Sequence, residues 1–307
     1  VHNRYRNVEF YAPDYIQVMG SGPSGSTYID SYLLSGHTAF MTQQSRGGTF
    51  ELIDTKIDTV DALMQIKSGA ANTGFSNLIV DGCEVNFSGT SGRAKDGILT
   101  ELIESDDAGN PGITTYTICD TAHEAEATSA SVADSSATFK NGTYLGDIYN
   151  SIYNYRQKLN VTLENATLTG TVSASQAVHV DMEGNVVPNG TVLNAFMGSE
   201  EYNHANYAAE KGGFSGECKL IGHFRHTAAP LLNNFIDLTL VKSAWNITGE
   251  GWLNALTVES LDDLAADKPV TIHVKALTVG GEVYGDGTYT SGNVTIEVDT
   301  TVIEVKD

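Results

Sequence analysis

The chain has 307 residues and a net charge of −21, from 17 Lys+Arg against 38 Asp+Glu. Such a surplus of carboxylates repels nucleic-acid phosphates and anionic lipid headgroups, so neither is expected as a partner. No stretch approaches the ~20 apolar residues that cross a bilayer, and the wealth of Thr, Ser, Gly, Val and Tyr favours strands and turns over helices.

Residues 1–20 alternate apolar side chains (Val8, Phe10, Tyr15), which predicts an opening strand pair, either a cap or a first coil. Beyond them, six windows share one pattern: apolar, any, small or turn-forming, small, any, apolar. They are Tyr28–Leu33, Leu52–Ile57, Val80–Val85, Leu163–Leu168, Leu240–Trp245 and Val274–Val279. The first three begin at residues 28, 52 and 80. Alternating apolar pairs precede most of them: Phe50/Leu52, Leu78/Val80, Val161/Leu163, Leu238/Leu240 and Ile272/Val274. Period-2 alternation, a bend and a second short strand, repeated at this spacing, predict one coil of a β-solenoid per window. Asp30, Asp54, Gly82 and Asn165 hold the third position in four windows, and these residue types tolerate the φ > 0 of a sharp bend. A further apolar run follows each early window (residues 38–41, 62–66 and 98–103), giving two to three strands per coil.

Residues 105–155 read as a loop-rich excursion, with only partial copies of the pattern at residues 118–123 and 132–137. Coils are expected to resume near Leu159 and to run to about Val180. Residues 181–217 are polar and irregular and read as a second excursion. From Cys218 to Val283 strands return, broken at Val258–Ala266 by a short helical turn or loop; residues 285–307 are expected to close the end with alternating strands. Gly280-Gly281 and Gly285-Asp286-Gly287 are turn signals. The whole chain, 1–307, reads as a single all-β domain.

Cys83, Cys119 and Cys218 are too few and too scattered for a disulfide framework or a metal cluster. Cys83 stands in the small-residue slot of its window, where a packed thiol is expected; a single disulfide among the three stays open. The chain begins at Val1 without a basic leader, so it reads as a mature or excised product. Asn86, Asn141, Asn160, Asn165, Asn189, Asn246 and Asn293 lie in Asn-x-Ser/Thr sequons, a mild excess over chance that leans towards an exported surface protein.

Three groups of residues are candidates for chemistry. Asp30 and Asp54, stacked one coil apart with Asp81 nearby, could hold Ca²⁺ or act as an acid/base pair; turn chemistry explains the same position, because Gly82 and Asn165 share it. His223, Arg225 and His226 lie near Glu217 and Cys218, and His204 lies further off, but strand alternation separates 223 from 226 and the spacing is no zinc signature. Tyr144, Tyr149, Tyr153 and Tyr155 could form a stacking stripe for sugars, or be ordinary sheet-surface tyrosines. Gly20–Gly25 only approaches a nucleophile elbow.

The repeat resembles the right-handed parallel β-helix superfamily. In the style of the coil Asn160–Gly170 it resembles the adhesin-like surface proteins of bacteria and archaea. That resemblance covers residues 20–180 and 218–283 and implies an all-β, right-handed parallel β-helix (β-solenoid) with loop excursions. It also implies an exported cell-surface protein with a structural or adhesive role and no catalytic site. Its partners would be cell-surface glycans or further copies of itself, in filaments or a sheath. Pectin-degrading enzymes share the fold, so a polysaccharide lyase or glycoside hydrolase is the alternative. Their hydrolase motifs are missing, since Asp262-Asp263 and Gly36-His37 stand without the expected partners. No cofactor is expected beyond the Ca²⁺ considered above.

Overall fold

The computed structural model describes residues 2–13, 15–19, 24–43, 46–68, 75–88, 96–104, 116–117, 133–152, 157–180, 184–188, 192–193, 224–231 and 235–301. The protein is all-β, with no α-helix among the described residues. Strands come in groups of three. The first groups are His2–Arg6, Glu9–Ala12 and Gln17–Met19, then Gly25–Ile29, Tyr32–Ser35 and Phe40–Gln43, then Arg46–Ile53, Lys56–Thr59 and Ala62–Ser68. Phe75–Asp81, Glu84–Phe87 and Ile98–Glu104 form the fourth unit, and Ser135–Lys140, Thr143–Leu145 and Asp147–Asn150 the fifth. The sixth is Lys158–Glu164, Thr167–Gly170 and Val172–His179.

Leading strands of successive units assemble into one 12-stranded sheet, middle strands into two four-stranded sheets, and third strands into a seven-stranded sheet. These are called the first, second and third sheets below. Units pair in parallel and in register: Tyr28 faces Leu52, Leu52 faces Val80, Val80 faces Phe139, Phe139 faces Leu163, and Leu163 faces Leu240. The physical driver is period-2 alternation. Lys158–Glu164 alternates half-buried and buried along its length, and Leu159, Val161 and Leu163 point inwards. Inward residues of all three sheets join one apolar core that runs from Ala12 to Val298.

The bend after each leading strand is built as its residue types imply. Asn7, Asp30, Asp54, Gly82, Asn141, Asn165 and Lys242 all have φ between 45° and 63°. Each of the first six donates its backbone N–H to the next unit, as in Asp30 to Ile53 O (3.1 Å) and Asn141 to Glu164 O (3.0 Å). At Gly82 an added Cβ would lie 2.5 Å from Asp54 Oδ1, so glycine suits both the backbone and the stack there. The following slot is a buried hydroxyl ladder. Ser31, Thr55 and Ser243 each donate to the carbonyl two residues back, at 2.7–2.8 Å. Ser31 Oγ and Ser243 Oγ also accept an N–H from the neighbouring unit, from Val8 and Ala166. Cys83 replaces the hydroxyl with a free, buried thiol whose pKa burial pushes up to about 11.

Three expectations are corrected. The excursion placed at 105–155 holds a complete unit from Ser135 to Asn150, whose bend Phe139–Tyr144 carries Asn141 in the left-handed position; residues 118–132 lie outside the described residues. The window Val274–Val279 is not a bend but part of one strand, Val270–Val279, with Ala276 opposite Ala255. Ala276 carries a Cβ that left-handed backbone penalises, and no Gly, Asn or Asp stands there. Its predecessor Gly251–Val258 already runs from the third sheet, where Trp252 N–H meets Ser173 Oγ at 3.2 Å, straight into the first, with Leu256 beside Leu238. Finally, Tyr144 is not on the surface: it is a core residue that donates to Lys140 O.

The strands His2–Arg6, Glu9–Ala12 and Gln17–Met19 form a regular first unit, each paired in parallel with the next unit. Between Val258 and Ala266 lies a single 3-10 turn, Leu261–Asp263, capped by Ser260 and Asp263 in a reciprocal capping box. At the other end the chain folds back: Glu282–Tyr284 pairs antiparallel with Val270–Val279 through the tight turn Gly280-Gly281, and Gly287–Ser291 pairs antiparallel with Val294–Val298. Among the described residues no helix is long and apolar enough to cross a membrane.

Candidate functional site

Asp30 and Asp54 stack at the left-handed corner, as expected from their shared slot. Asp81 precedes that slot in its own unit and accepts from Asn141 Nδ2 at 2.8 Å. Among the described residues no group of three or more His, Cys, Asp and Glu side chains is placed to hold a metal ion. The left-handed backbone and the unit-to-unit N–H bonds of Asp30 and Asp54 are those of turn structure. The sequon residues Asn86, Asn141, Asn246 and Asn293 use their carboxamides within the fold, on Asp58, Asp81, Thr169 and Ala266. Asn165 donates to Asn141 Oδ1 at 3.5 Å, and Asn160 is half-buried in a strand. Asn189, Cys119, Cys218, Glu217, His204, His223, Tyr153 and Tyr155 lie outside the described residues.

A concave feature lies near the corner between the second and third sheets. A groove of about 800 Å³ is lined by Asp96, Asp147, Glu250 and Asp267, with Lys268 and the hydroxyls of Thr248, Thr271 and Thr295. Asp147 begins the third strand of the fifth unit. Its Oδ1 accepts the Thr171 N–H at 2.7 Å and its Oδ2 the Tyr149 hydroxyl at 3.1 Å. Burial raises the pKa of its carboxyl above the usual range; the charge of Asp96 adds to the rise, and the hydrogen bonds and His226 oppose it. Beside the groove, His273 bridges two carboxylates: Nε2 meets Glu250 at 2.8 Å and Nδ1 meets Glu297 at 3.1 Å. The Trp252 ring stacks on His273 with centroids 3.8 Å apart.

Behind Asp147 lies a buried polar network on the outer face of the third sheet. The Tyr149 ring stacks on His226, with centroids 3.9 Å apart and planes 13° from parallel. His226 Nε2 lies 2.7 Å from Glu101 Oε2, and its Nδ1 lies 2.8 Å from Ser151 Oγ. Gln65 Nε2 donates to Glu101 Oε1 at 2.7 Å, and Ser151 donates to Ser175 O at 2.6 Å. Serine, histidine and glutamate in a row suggest a nucleophilic relay, but two facts exclude it. The serine proton is committed to a backbone carbonyl, and Ser151 is fully buried, out of a substrate's reach. The arrangement instead ties together segments that are distant in sequence.

Glu101 and Gln65 sit in apolar runs that the sequence marks only as strands. The available signal was the polar residue itself, since Ala62–Ser68 and Ile98–Glu104 each carry long polar side chains among buried neighbours on both faces. No family model matches this chain, and no curated protein or solved structure matches it either.

Proposed function

We propose that this chain is a right-handed parallel β-helix that serves as an exported, cell-surface module with a structural or adhesive role and no catalytic activity, its partners being surface glycans. The observation that carries the reading is the in-register stacking of three-strand units over one continuous core, with a repeated left-handed corner. Such an object is a stiff spacer, because each unit is held by the neighbours above and below it. Growth into a homopolymer by end-to-end stacking is the weaker form of the idea. The strands Glu282–Tyr284 and Gly287–Ser291 run antiparallel, so a second copy cannot continue the parallel register there.

One observation favours a second reading, a polysaccharide-active enzyme working in the groove. A carboxyl that tends to keep its proton, Asp147, shares the cleft with Asp96, Glu250 and Asp267, and glycoside cleavage needs such a division between acid and base. Negative-stain microscopy of the native protein and a glycan-binding and hydrolysis screen test both readings. Dispersed short rods that bind glycans without cleaving them support the surface module. Regular fibres would replace it with a polymer. Cleavage that is lost in Asp147→Asn would replace it with the enzyme.

A further inference from the structure

The strand Phe224–Pro230 is the outermost member of the third sheet and runs antiparallel to Val172–His179, with His226 opposite Ala177 and Phe224 opposite His179. It is the one strand of that sheet that breaks the parallel order. Beyond the backbone ladder it is held by Thr227 on Gln176 O, by Gln176 and Trp252 on Pro230 O and Ala228 O, and by His226, which reaches Ser151, 75 residues away in sequence, and Glu101, 125 residues away. The His226 and Glu101 side chains are 1% and 0% exposed.

The donors and acceptors fix how many protons this anchor holds. Ser151 Oγ gives its only proton to Ser175 O, so it must accept from His226, and Nδ1 therefore carries a proton. Nε2 then faces a carboxylate oxygen at 2.7 Å, a contact that is attractive only with a proton between the two atoms. Imidazolium with carboxylate and imidazole with carboxylic acid both satisfy it, and both leave the pair with no net charge. Without that proton a lone pair faces a buried carboxylate. With one more, an N–H faces an O–H and a net positive charge is buried.

We propose that the proton between His226 and Glu101 is a latch that fastens the strand Phe224–Pro230 onto the third sheet, and that losing it or adding a second releases the strand. The described groups around the pair are Gln65 and Lys67 from Ala62–Ser68, Asp147 and Tyr149 from Asp147–Asn150, His179 from Val172–His179, and Arg225 on the strand itself. Arg225 is engaged with Gly184 O at 3.1 Å. Release takes His226 off Glu101 and Ser151 and breaks up the small apolar cluster of Ile103, Ala177 and Phe224.

Amide hydrogen exchange of residues 224–230, corrected for intrinsic rates, across about pH 3 to 9, which spans the ordinary carboxylate and histidine ranges, tests this. In the native chain, protection should peak at intermediate pH and fall about tenfold on either side, the worth of one hydrogen bond to a charged group. Glu101→Gln replaces the shared proton with a fixed N–H donor to Nε2, so its protection should hold across the range with no peak. A flat native profile, or the same peak in Glu101→Gln, overturns the proposal. Should that variant fail to fold, Ser151→Ala serves: it removes the acceptor of Nδ1–H and should lower protection of 224–230 about tenfold while leaving 158–164 unchanged. Unchanged protection of 224–230 overturns it.

Discussion

Trp245 offers the sharpest test of the stacked-unit core. Its indole is fully buried in the second sheet, between Leu168 of the unit before and Leu264 of the unit after, and Nε1–H donates to Gly170 O at 2.8 Å. Trp245→Ala removes the largest fully buried side chain and leaves a cavity between two units, which should cost about 3–5 kcal/mol. Trp245→Phe keeps most of the apolar fill and loses the hydrogen bond, leaving the Gly170 carbonyl without that donor, for a loss of about 1–2 kcal/mol. Denaturant unfolding followed by circular dichroism gives the totals. Hydrogen exchange shows where the loss falls, and nearest-neighbour stacking predicts residues 158–170 and 235–265. An Ala variant weakened by less than about 1 kcal/mol, or a loss spread evenly over all units, would refute the reasoning.

Three further outcomes are expected. Burial raises the folded-state pKa of Asp147, so the native state holds its proton more tightly than the unfolded chain does, and this group's contribution to stability falls as pH rises from about 3.9 through the folded value. Asp147→Asn should flatten that part of the pH profile of the urea midpoint; an unchanged slope would contradict the assignment. Cys83, with its thiol pushed up to about 11 and its side chain buried, should stay unalkylated near pH 8 in the folded protein and react once unfolded, as read by peptide mass mapping of that residue. Lys242 holds the left-handed corner at φ 47° without the local help that Asn or Asp provides. Lys242→Asn should therefore raise the unfolding free energy by about 0.5–1 kcal/mol while Lys242→Ala does not, and equal midpoints for the two would show the corner to be unstrained.

Much of the frame was legible because its causes are local. The inward residues of Lys158–Glu164 are recognised by alternation alone, and the corners at Asp30, Asp54, Gly82 and Asn165 by a steric rule that concerns one residue and its own Cβ. The same rule, applied more strictly, marks Asn7 and Asn141 as corners and rejects Ala276. It does not find Lys242, whose side chain has no local reason to turn left-handed. There the stacked neighbours impose the backbone, as Asn165 N–H bonding to Val241 O on the strand leading into that corner illustrates.

The chemistry-bearing sites were not legible, and the reason is distance along the chain. Glu101, Ser151 and His226 come from three segments that meet only after parallel pairing has set Gln65 beside Glu101 and Glu101 beside Tyr149, and after an antiparallel strand has returned over that face. Asp96 and Asp147 likewise become neighbours of Glu250 and Asp267 only because the corners of the fourth, fifth and later units line one groove. The sequence by itself determined that this chain makes short strands with sharp, repeated bends, because alternation and left-handed tolerance act within a few residues. Only the tertiary structure decided which polar side chains would be buried together, because that depends on which units stack and which strand crosses them.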